Sequence, residues 1–175
     1  LFFMEDHRLQ NLAEQYRKML LDDCVPFWFP RAVDNEWGGY LHCLDRDGTL
    51  LDSDKSVWAQ GRMAWMLLTM YNQVEKRTQW LTWAESGIHF LEKHCVDQDG
   101  RFFFHVTREG LPIRKRRYAF SEAFAAIAQA AYARATGSDR AAERAIDLFE
   151  RFVFLNFTPG AVAAKFTDTR PLTGL

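Results

Sequence analysis

The chain has 175 residues, 48% of them hydrophobic, which is enough for one domain with a sizeable core. Its formal net charge of −1 gives no global electrostatic reason to bind nucleic acid or an anionic membrane. No apolar run approaches the ~20 residues that span a bilayer, and the N-terminal L-F-F-M-E-D-H-R lacks signal-peptide features. We therefore expect a soluble, cytoplasmic protein with no nucleic-acid or membrane partner and with reduced cysteines.

Five segments place apolar residues at spacings of three and four, the pattern of amphipathic helices. They cover about residues 5–28, 54–74, 78–95, 118–136 and 138–155. Thr78 is the predicted N-cap of the third helix, and Gly137 is a suitable residue to end the fourth. The fourth segment is small and apolar on nearly all sides, which is typical of a helix packed on more than one face.

Two glycine-containing segments separate the helix pairs, and each predicts a short β-hairpin. They read G-G-Y-L-H-C-L-D-R-D-G-T-L-L (38–51) and D-G-R-F-F-F-H-V-T-R-E-G-L-P-I (99–113). A shift of 62 residues takes Gly48 to Gly110. The same shift places Trp58 on Phe120, Gln60 on Glu122 and Trp65 on Ile127. Each unit is thus a hairpin followed by two helices, a period that predicts an all-α helical repeat array or toroid.

An array with few units leaves an apolar end uncovered, because each unit buries one face against the next. The chain ends in T-R-P-L-T-G-L, without a helix stop signal or a polar cap. We therefore predict that residues 1–175 form a single domain that is the front part of a larger toroid, or that depends on a partner. That partner would be a second copy, forming a homodimer, or the missing C-terminal half.

Arg62 lies four residues after Trp58 and three before Trp65, and so shares a helical face with both tryptophans. In one interpretation its stem covers apolar surface while its head reaches water. In the other, the guanidinium faces a polar ligand in a cavity walled by the tryptophans. The neighbouring Gly61 lowers helix propensity by roughly 1 kcal/mol relative to alanine, and it would let another backbone or a ligand come close.

Glu122 falls in the first turn of the fourth helix. It either favours the helix dipole there, or it lies at a cavity mouth where it binds a hydroxyl or holds Arg62. The basic run at 114–117 precedes the same helix and is either an anion site or a solvated loop.

The five histidines form no HExxH motif and no zinc spacing, so we expect no metal site. The sequence also lacks GxSxG, a phosphate-cradling loop and a dinucleotide fingerprint, and we expect no cofactor.

Four motifs together resemble the N-acylglucosamine 2-epimerase family. They are G-G-Y-L-H-C-L-D-R-D-G (38–48), D-K-S-V-W-A-Q-G-R-M-A-W-M (54–66), T-R-E-G-L-P (107–112) and F-S-E-A-F (120–124). The V-W-x-Q-G-R block is the most specific, and the resemblance extends over nearly the whole chain from about Phe27. It implies an (α/α)6 toroid in longer chains, of which this chain would be the N-terminal part.

The resemblance implies an isomerase that interconverts sugars epimeric at C2, such as N-acetylglucosamine and N-acetylmannosamine, without a metal or redox cofactor. It implies that Arg62 is the substrate-site arginine, and we place Trp58, Gln60, Phe120 and Glu122 around it as substrate-binding residues. The family's catalytic histidines lie beyond residue 175, and none of the five histidines here matches them. Alternatives are a mannose isomerase or cellobiose 2-epimerase of the same fold, or a non-catalytic carbohydrate-binding helical repeat.

Overall fold

The computed structural model describes residues 2–116 and 118–162. Helix α1 (Phe2–Lys18) continues through a π-helical segment (Met19–Cys24) into α2 (Val25–Trp28). The other helices are α3 (Val57–Gln73), α4 (Thr78–His94), α5 (Phe120–Thr136) and α6 (Asp139–Phe157). The five helices predicted from the hydrophobic spacing are confirmed, and the first of them contains a π-helical stretch that the spacing did not predict.

Two small antiparallel sheets lie between the helices. Strands β1 (Cys43–Leu44) and β2 (Leu50–Asp52) form the first hairpin. Strands β4 (His105–Val106) and β5 (Pro112–Arg114) form the second hairpin, and β4 also pairs with β3 (Lys55–Ser56). Both predicted hairpins are confirmed. The predicted helix start at 54 is wrong, because the residues directly before α3 form a strand against the hairpin of the second unit.

The repeat of 62 residues is visible in the backbone hydrogen bonds of the two hairpin turns. In the first turn, Asp45 N donates to Thr49 O and Gly48 N donates to Asp45 O. In the second turn, the equivalent residues 107, 110 and 111 make the same two bonds. Gly48 and Gly110 both adopt left-handed φ angles, of 89° and 98°, which glycine tolerates without strain. The two units therefore share one local conformation.

The predicted helix ends are confirmed in part. Gly137 adopts a left-handed φ of 73° at the end of α5, and the Ser138 hydroxyl accepts a hydrogen bond from Ala141 N at the start of α6. The prediction of Thr78 as an N-cap is wrong, because the extended residue before α4 is Arg77 and Thr78 is already helical.

Helices α3 and α5 pack side by side, with α4 packed on α3 and α6 on α5. One buried cluster, which includes Tyr40, Leu67 and Trp80, lies between α2, α3 and α4. A second, which includes Phe90 and Phe102, lies beneath the second hairpin. The core therefore fixes α3 against α5, with the two hairpins beside the first turns of both helices.

Two helices expose apolar side chains along one face. On α1 these are Leu9, Leu12, Tyr16 and Met19, and on α6 they are Ile146, Phe149, Val153, Phe154 and Phe157. They lie on the first and last helices that the structure describes, where a repeat array leaves its faces uncovered. Among the described residues, no helix is both long and apolar enough to cross a lipid bilayer. The cysteines are free thiols, with only Cys95 fully buried.

Candidate active site

Trp58 and Arg62 come from the first turns of α3, and Phe124 comes from the first turns of α5. The Trp58 and Phe124 ring centroids are 5.8 Å apart, and the Arg62 Cζ atom lies 5.8 Å from the Phe124 centroid. At that distance the guanidinium interacts favourably with the face of the ring. The structure thus brings Trp58 and Arg62 together around a phenylalanine that the sequence analysis did not single out.

Arg62 is exposed to solvent, and it forms no ion pair within the described part of the chain. A permanently charged guanidinium without a carboxylate partner keeps its donors available for a ligand. The aromatic side chains beside it offer flat apolar surface, which suits the face of a sugar ring. The arrangement can therefore bind a polar, ring-shaped molecule and stabilise negative charge on one of its oxygens.

Gly61 explains why the two helices come so close. A Cβ atom at Gly61 would lie 2.7 Å from the carbonyl carbon of Phe124 and 2.8 Å from its oxygen. The missing side chain therefore admits the backbone of α5, which was one of the two interpretations of this glycine. The contact also places Phe124 next to Arg62.

Gln60 does not reach this surface, and the prediction that it contacts substrate is not supported by its geometry. Its side chain is fully buried, Nε2 donates to Tyr40 O over 2.9 Å, and Oε1 accepts from Tyr40 N over 2.7 Å. Additional chain around this structure could only bury Gln60 further. Gln60 therefore anchors the first hairpin segment to α3.

Glu122 is also turned away from the predicted cavity mouth. Its carboxylate is 1% exposed, accepts a hydrogen bond from Arg101 Nε over 2.9 Å, and lies 3.3 Å from Phe102 N. The suggested contact with Arg62 does not form. Since Tyr40 and Phe102 are related by the shift of 62 residues, Glu122 and Gln60 have equivalent roles. Each binds the backbone of the hairpin segment of its own unit.

Phe120 is half-exposed at the start of α5, with its ring 6.1 Å from that of Tyr118 in an edge-on arrangement. Trp65 and Ile127 continue the same face of α3 and α5, and their exposed fractions are nearly equal, 37% and 39%. The face predicted to line a cavity is therefore an aromatic surface shared by the two helices. Phe124 could have been found from the sequence, because it lies one turn after Phe120 and the repeat places it on Arg62.

The basic run before α5 is occupied by internal contacts. Arg116 pairs with Asp97 and Asp99 at 2.8 and 2.7 Å, Lys115 pairs with Asp97, and Arg114 stacks over Phe104. The hydrogen bond from Arg116 holds the pKa of Asp97 at about 2, below its usual value. The remaining residue of the run, at position 117, lies outside the described residues. The described part of the run is therefore not arranged as an anion site.

The histidines of the hairpins are not arranged as ligands. Burial lowers the pKa of His42, as does the nearby His105, and the buried Nδ1 atom of His42 has no hydrogen-bond partner. Within residues 2–116 and 118–162, no three histidine, cysteine or acidic side chains are placed to hold a metal ion.

We expect Gln60→Ala to lower the free energy of unfolding by about 2–4 kcal/mol, because two hydrogen bonds are lost and the buried N–H and C=O of Tyr40 lose their partners. Urea denaturation measures this change. The matched control is Gln73→Ala at the exposed end of α3, which should stay within about 0.5 kcal/mol of the parent. Equal stability of the two variants would contradict an anchoring role for Gln60.

A sequence profile of the N-acylglucosamine 2-epimerase (GlcNAc 2-epimerase) family matches residues 39–169. The N-acylglucosamine 2-epimerase of Bos taurus is 36% identical over 137 residues, which are 76% of this chain and 32% of the bovine protein. The cellobiose 2-epimerase of Eubacterium cellulosolvens is 32% identical over 159 residues, which are 88% of this chain and 38% of that protein.

Among solved structures, cellobiose 2-epimerase from Bacillus thermoamylovorans B4167 superimposes with a TM-score of 0.73 at 26% identity. The match covers 81% of this chain and 36% of that one. The fold is therefore that of the (α/α)6 toroids, and this chain forms a part of one. The chain spans about a third of the length of the relatives that it matches, which are isomerase-class enzymes. On the profile match and the identity to the bovine enzyme, this chain belongs to the N-acylglucosamine 2-epimerase family.

Proposed function

We propose that this chain is the N-terminal part of a sugar 2-epimerase and that Arg62 contacts the substrate. The observation that carries the proposal is the exposed guanidinium of Arg62, which has no carboxylate partner among the described residues and lies against the Phe124 ring. Trp58 stands on the other side of that ring and supplies a second aromatic wall. Phe120 and Trp58 remain our proposed substrate contacts, whereas Gln60 and Glu122 are assigned to the hairpin anchors.

N-acetylglucosamine and N-acetylmannosamine are the proposed pair of substrates. The support is the higher identity to the N-acylglucosamine 2-epimerases, 36% for the bovine enzyme against 32% for the cellobiose 2-epimerase of Eubacterium cellulosolvens. The cellobiose enzyme matches a larger share of this chain, 88% against 76%, which keeps cellobiose as the second candidate. The experiment below therefore includes both sugars.

Epimerisation at C2 begins with the open-chain aldehyde, in which the C1 carbonyl acidifies the C2 proton. A base removes that proton, the electron pair moves onto O1 to give an enediolate-type anion, and an acid returns a proton to the opposite face of C2. A guanidinium fixed at O1 stabilises the anion between these two steps, and its contribution is larger in a site that excludes water. Arg62 would act in this way, while the aromatic walls orient the sugar.

The base and the acid are proposed to come from sequence beyond residue 175. The apolar faces of α1 and α6 support the proposal that further helical units pack on this one, because each unit of such an array covers its neighbour. Residues 1–175 would then be the N-terminal part of a single barrel. A second copy of the chain is the alternative occupant of these faces, and the cytoplasmic location stays a prediction.

The proposal is tested by incubating the complete gene product, including any sequence that its gene encodes on either side, with N-acetylmannosamine, N-acetylglucosamine or cellobiose in D2O. NMR should show deuterium entering C2 of the N-acetylated pair, together with formation of the other epimer. Deuterium entry into cellobiose alone would replace the proposed substrate, and formation of a ketose from mannose would indicate an isomerase. Absence of exchange at C2 in every sugar would refute the epimerase assignment.

A further inference from the structure

Lys55 is a fully buried lysine, although it belongs to the short strand directly before α3. Its Nζ atom donates to Asp34 Oδ2 over 2.9 Å, to Gly38 O over 2.7 Å and to Arg108 O over 2.7 Å. These three acceptors satisfy all three N–H groups of the ammonium. The same atom lies 4.2 Å from the centroid of the Phe90 ring. Such complete pairing is what keeps a buried ammonium charged.

Asp34 is the common partner of the two cations. Arg108 donates from Nε to Oδ2 and from Nη2 to Oδ1, both over 2.9 Å, and the backbone N–H groups of Glu36 and Trp37 also reach Oδ1. Burial opposes ionisation of Asp34, but the hydrogen bonds from Arg108 and Lys55 outweigh it and hold the pKa below its usual value. Asp34, Lys55 and Arg108 are therefore an ionised cluster, here called the junction cluster.

The junction cluster joins three segments that are distant in sequence. Asp34 and Gly38 belong to the loop before the first hairpin, Lys55 to the strand that leads into α3, and Arg108 to the turn of the second hairpin. Lys55 is the one member that contacts both other segments through its side chain. It is therefore the point at which the start of α3 is tied to both repeat units.

Arg62 is seven residues after Lys55, and the intervening chain is rigid. β3 is paired with β4, and the N–H of Val57, the first residue of α3, donates to Phe104 O over 3.0 Å. From there to Arg62 the chain is continuous α-helix. A shift of Lys55 is thus transmitted to Trp58 and Arg62 without a flexible link.

We propose that Lys55 is a positioning residue, which fixes the first two turns of α3, and with them Trp58 and Arg62, between the two hairpins. The catalytic consequence rests on the proposed function, whereas the effect on α3 can be measured on this chain alone. A lysine is not needed here for stability in general, since well-packed apolar residues replace many buried ion pairs without loss. What the ammonium adds is a fixed direction towards three acceptors.

The test is Lys55→Met, which keeps an unbranched apolar side chain but leaves the Gly38 and Arg108 carbonyls without their donor. Hydrogen–deuterium exchange should become roughly tenfold or more faster in residues 34–40, 57–62 and 104–110, and change less than about twofold in α6. Asp34→Asn should accelerate the same segments less, and it replaces Lys55→Met if that variant does not fold. Lys93→Met, at an exposed lysine of α4, is the control and should leave exchange unchanged.

Uniform acceleration over all helices would show a merely structural role and overturn the proposal, as would unchanged exchange around residue 57. In the complete gene product, Lys55→Met should lower kcat with a smaller change in KM, since the substrate still binds but the guanidinium is displaced from O1. A parental kcat despite local loosening would also overturn it. If the unsubstituted protein shows no epimerisation, the proposed function fails, while the exchange result still decides the role of Lys55 in placing α3.

Discussion

Arg62→Ala is expected to lower kcat of the complete enzyme by roughly 10²–10³-fold, the loss typical of removing one donor that stabilises an oxyanion. The side chain is exposed and unpaired among the described residues, and its one contact of note is the Phe124 ring. Its removal should therefore change the free energy of unfolding by no more than about 0.5 kcal/mol. Steady-state kinetics and urea denaturation on the same preparations separate the two effects.

The control for this prediction is Arg62→Lys, which keeps the charge but replaces the planar fork by a single ammonium. We expect an intermediate loss of kcat, because the charge remains while the fixed geometry is lost. Near-parental turnover of Arg62→Ala would return Arg62 to the other interpretation, in which its stem covers apolar surface and its head reaches water. A fall in stability that accounts for the lost activity would contradict the substrate contact as well.

Gly61→Ala is expected to destabilise the chain by about 1–3 kcal/mol, the usual cost of forcing extra atoms into a packed site. Helix propensity alone predicts the opposite sign, because alanine in a helix interior is favoured over glycine by roughly 1 kcal/mol. The contact of 2.7 Å between the added Cβ and the Phe124 carbonyl carbon decides the sign, since the obstacle is backbone and cannot rotate away. α5 must then move away from α3.

Urea denaturation of Gly61→Ala measures the stability change. The matched control is Thr69→Ala, a half-buried position on the same helix without such a contact, and it should cost less than Gly61→Ala. Because α5 carries Phe124, a displaced α5 also withdraws the ring from Arg62, and activity of the complete enzyme should fall together with stability. A Gly61→Ala protein as stable as the parent, or more stable, would show that α3 and α5 are not held at the distance described.

The sequence predicted the helices because their apolar spacing is regular, and it predicted the repeat because glycine turns recur at a fixed interval. It did not predict the orientation of Gln60. Two residues along a helix rotate a side chain by about 200°, so position 60 lies on the opposite side from Trp58 and Arg62. That rotation was available from the sequence, whereas the partner of Gln60 was not, since Tyr40 is 20 residues away on the hairpin segment.

The junction cluster was beyond sequence reasoning for the same reason. Lys55 meets Asp34 across 21 residues and the Arg108 carbonyl across 53, and no local pattern marks a lysine that will be buried. Charged residues are mostly exposed, so the default expectation for Lys55 was a surface position. Arg62 could be proposed from the sequence because its neighbours Trp58 and Trp65 are on its own helix.

The hairpin anchors of the two units use different chemistry at equivalent positions. In the first unit the uncharged Gln60 faces Gly39, where a Cβ atom would lie 2.5 Å from Gln60 Oε1. In the second unit the charged Glu122 faces Arg101, which occupies the place of that glycine and neutralises it. Exchanging one anchor without its companion would either bury a lone carboxylate or crowd an arginine against an amide. The two units have thus diverged as coupled pairs, and they are no longer interchangeable modules.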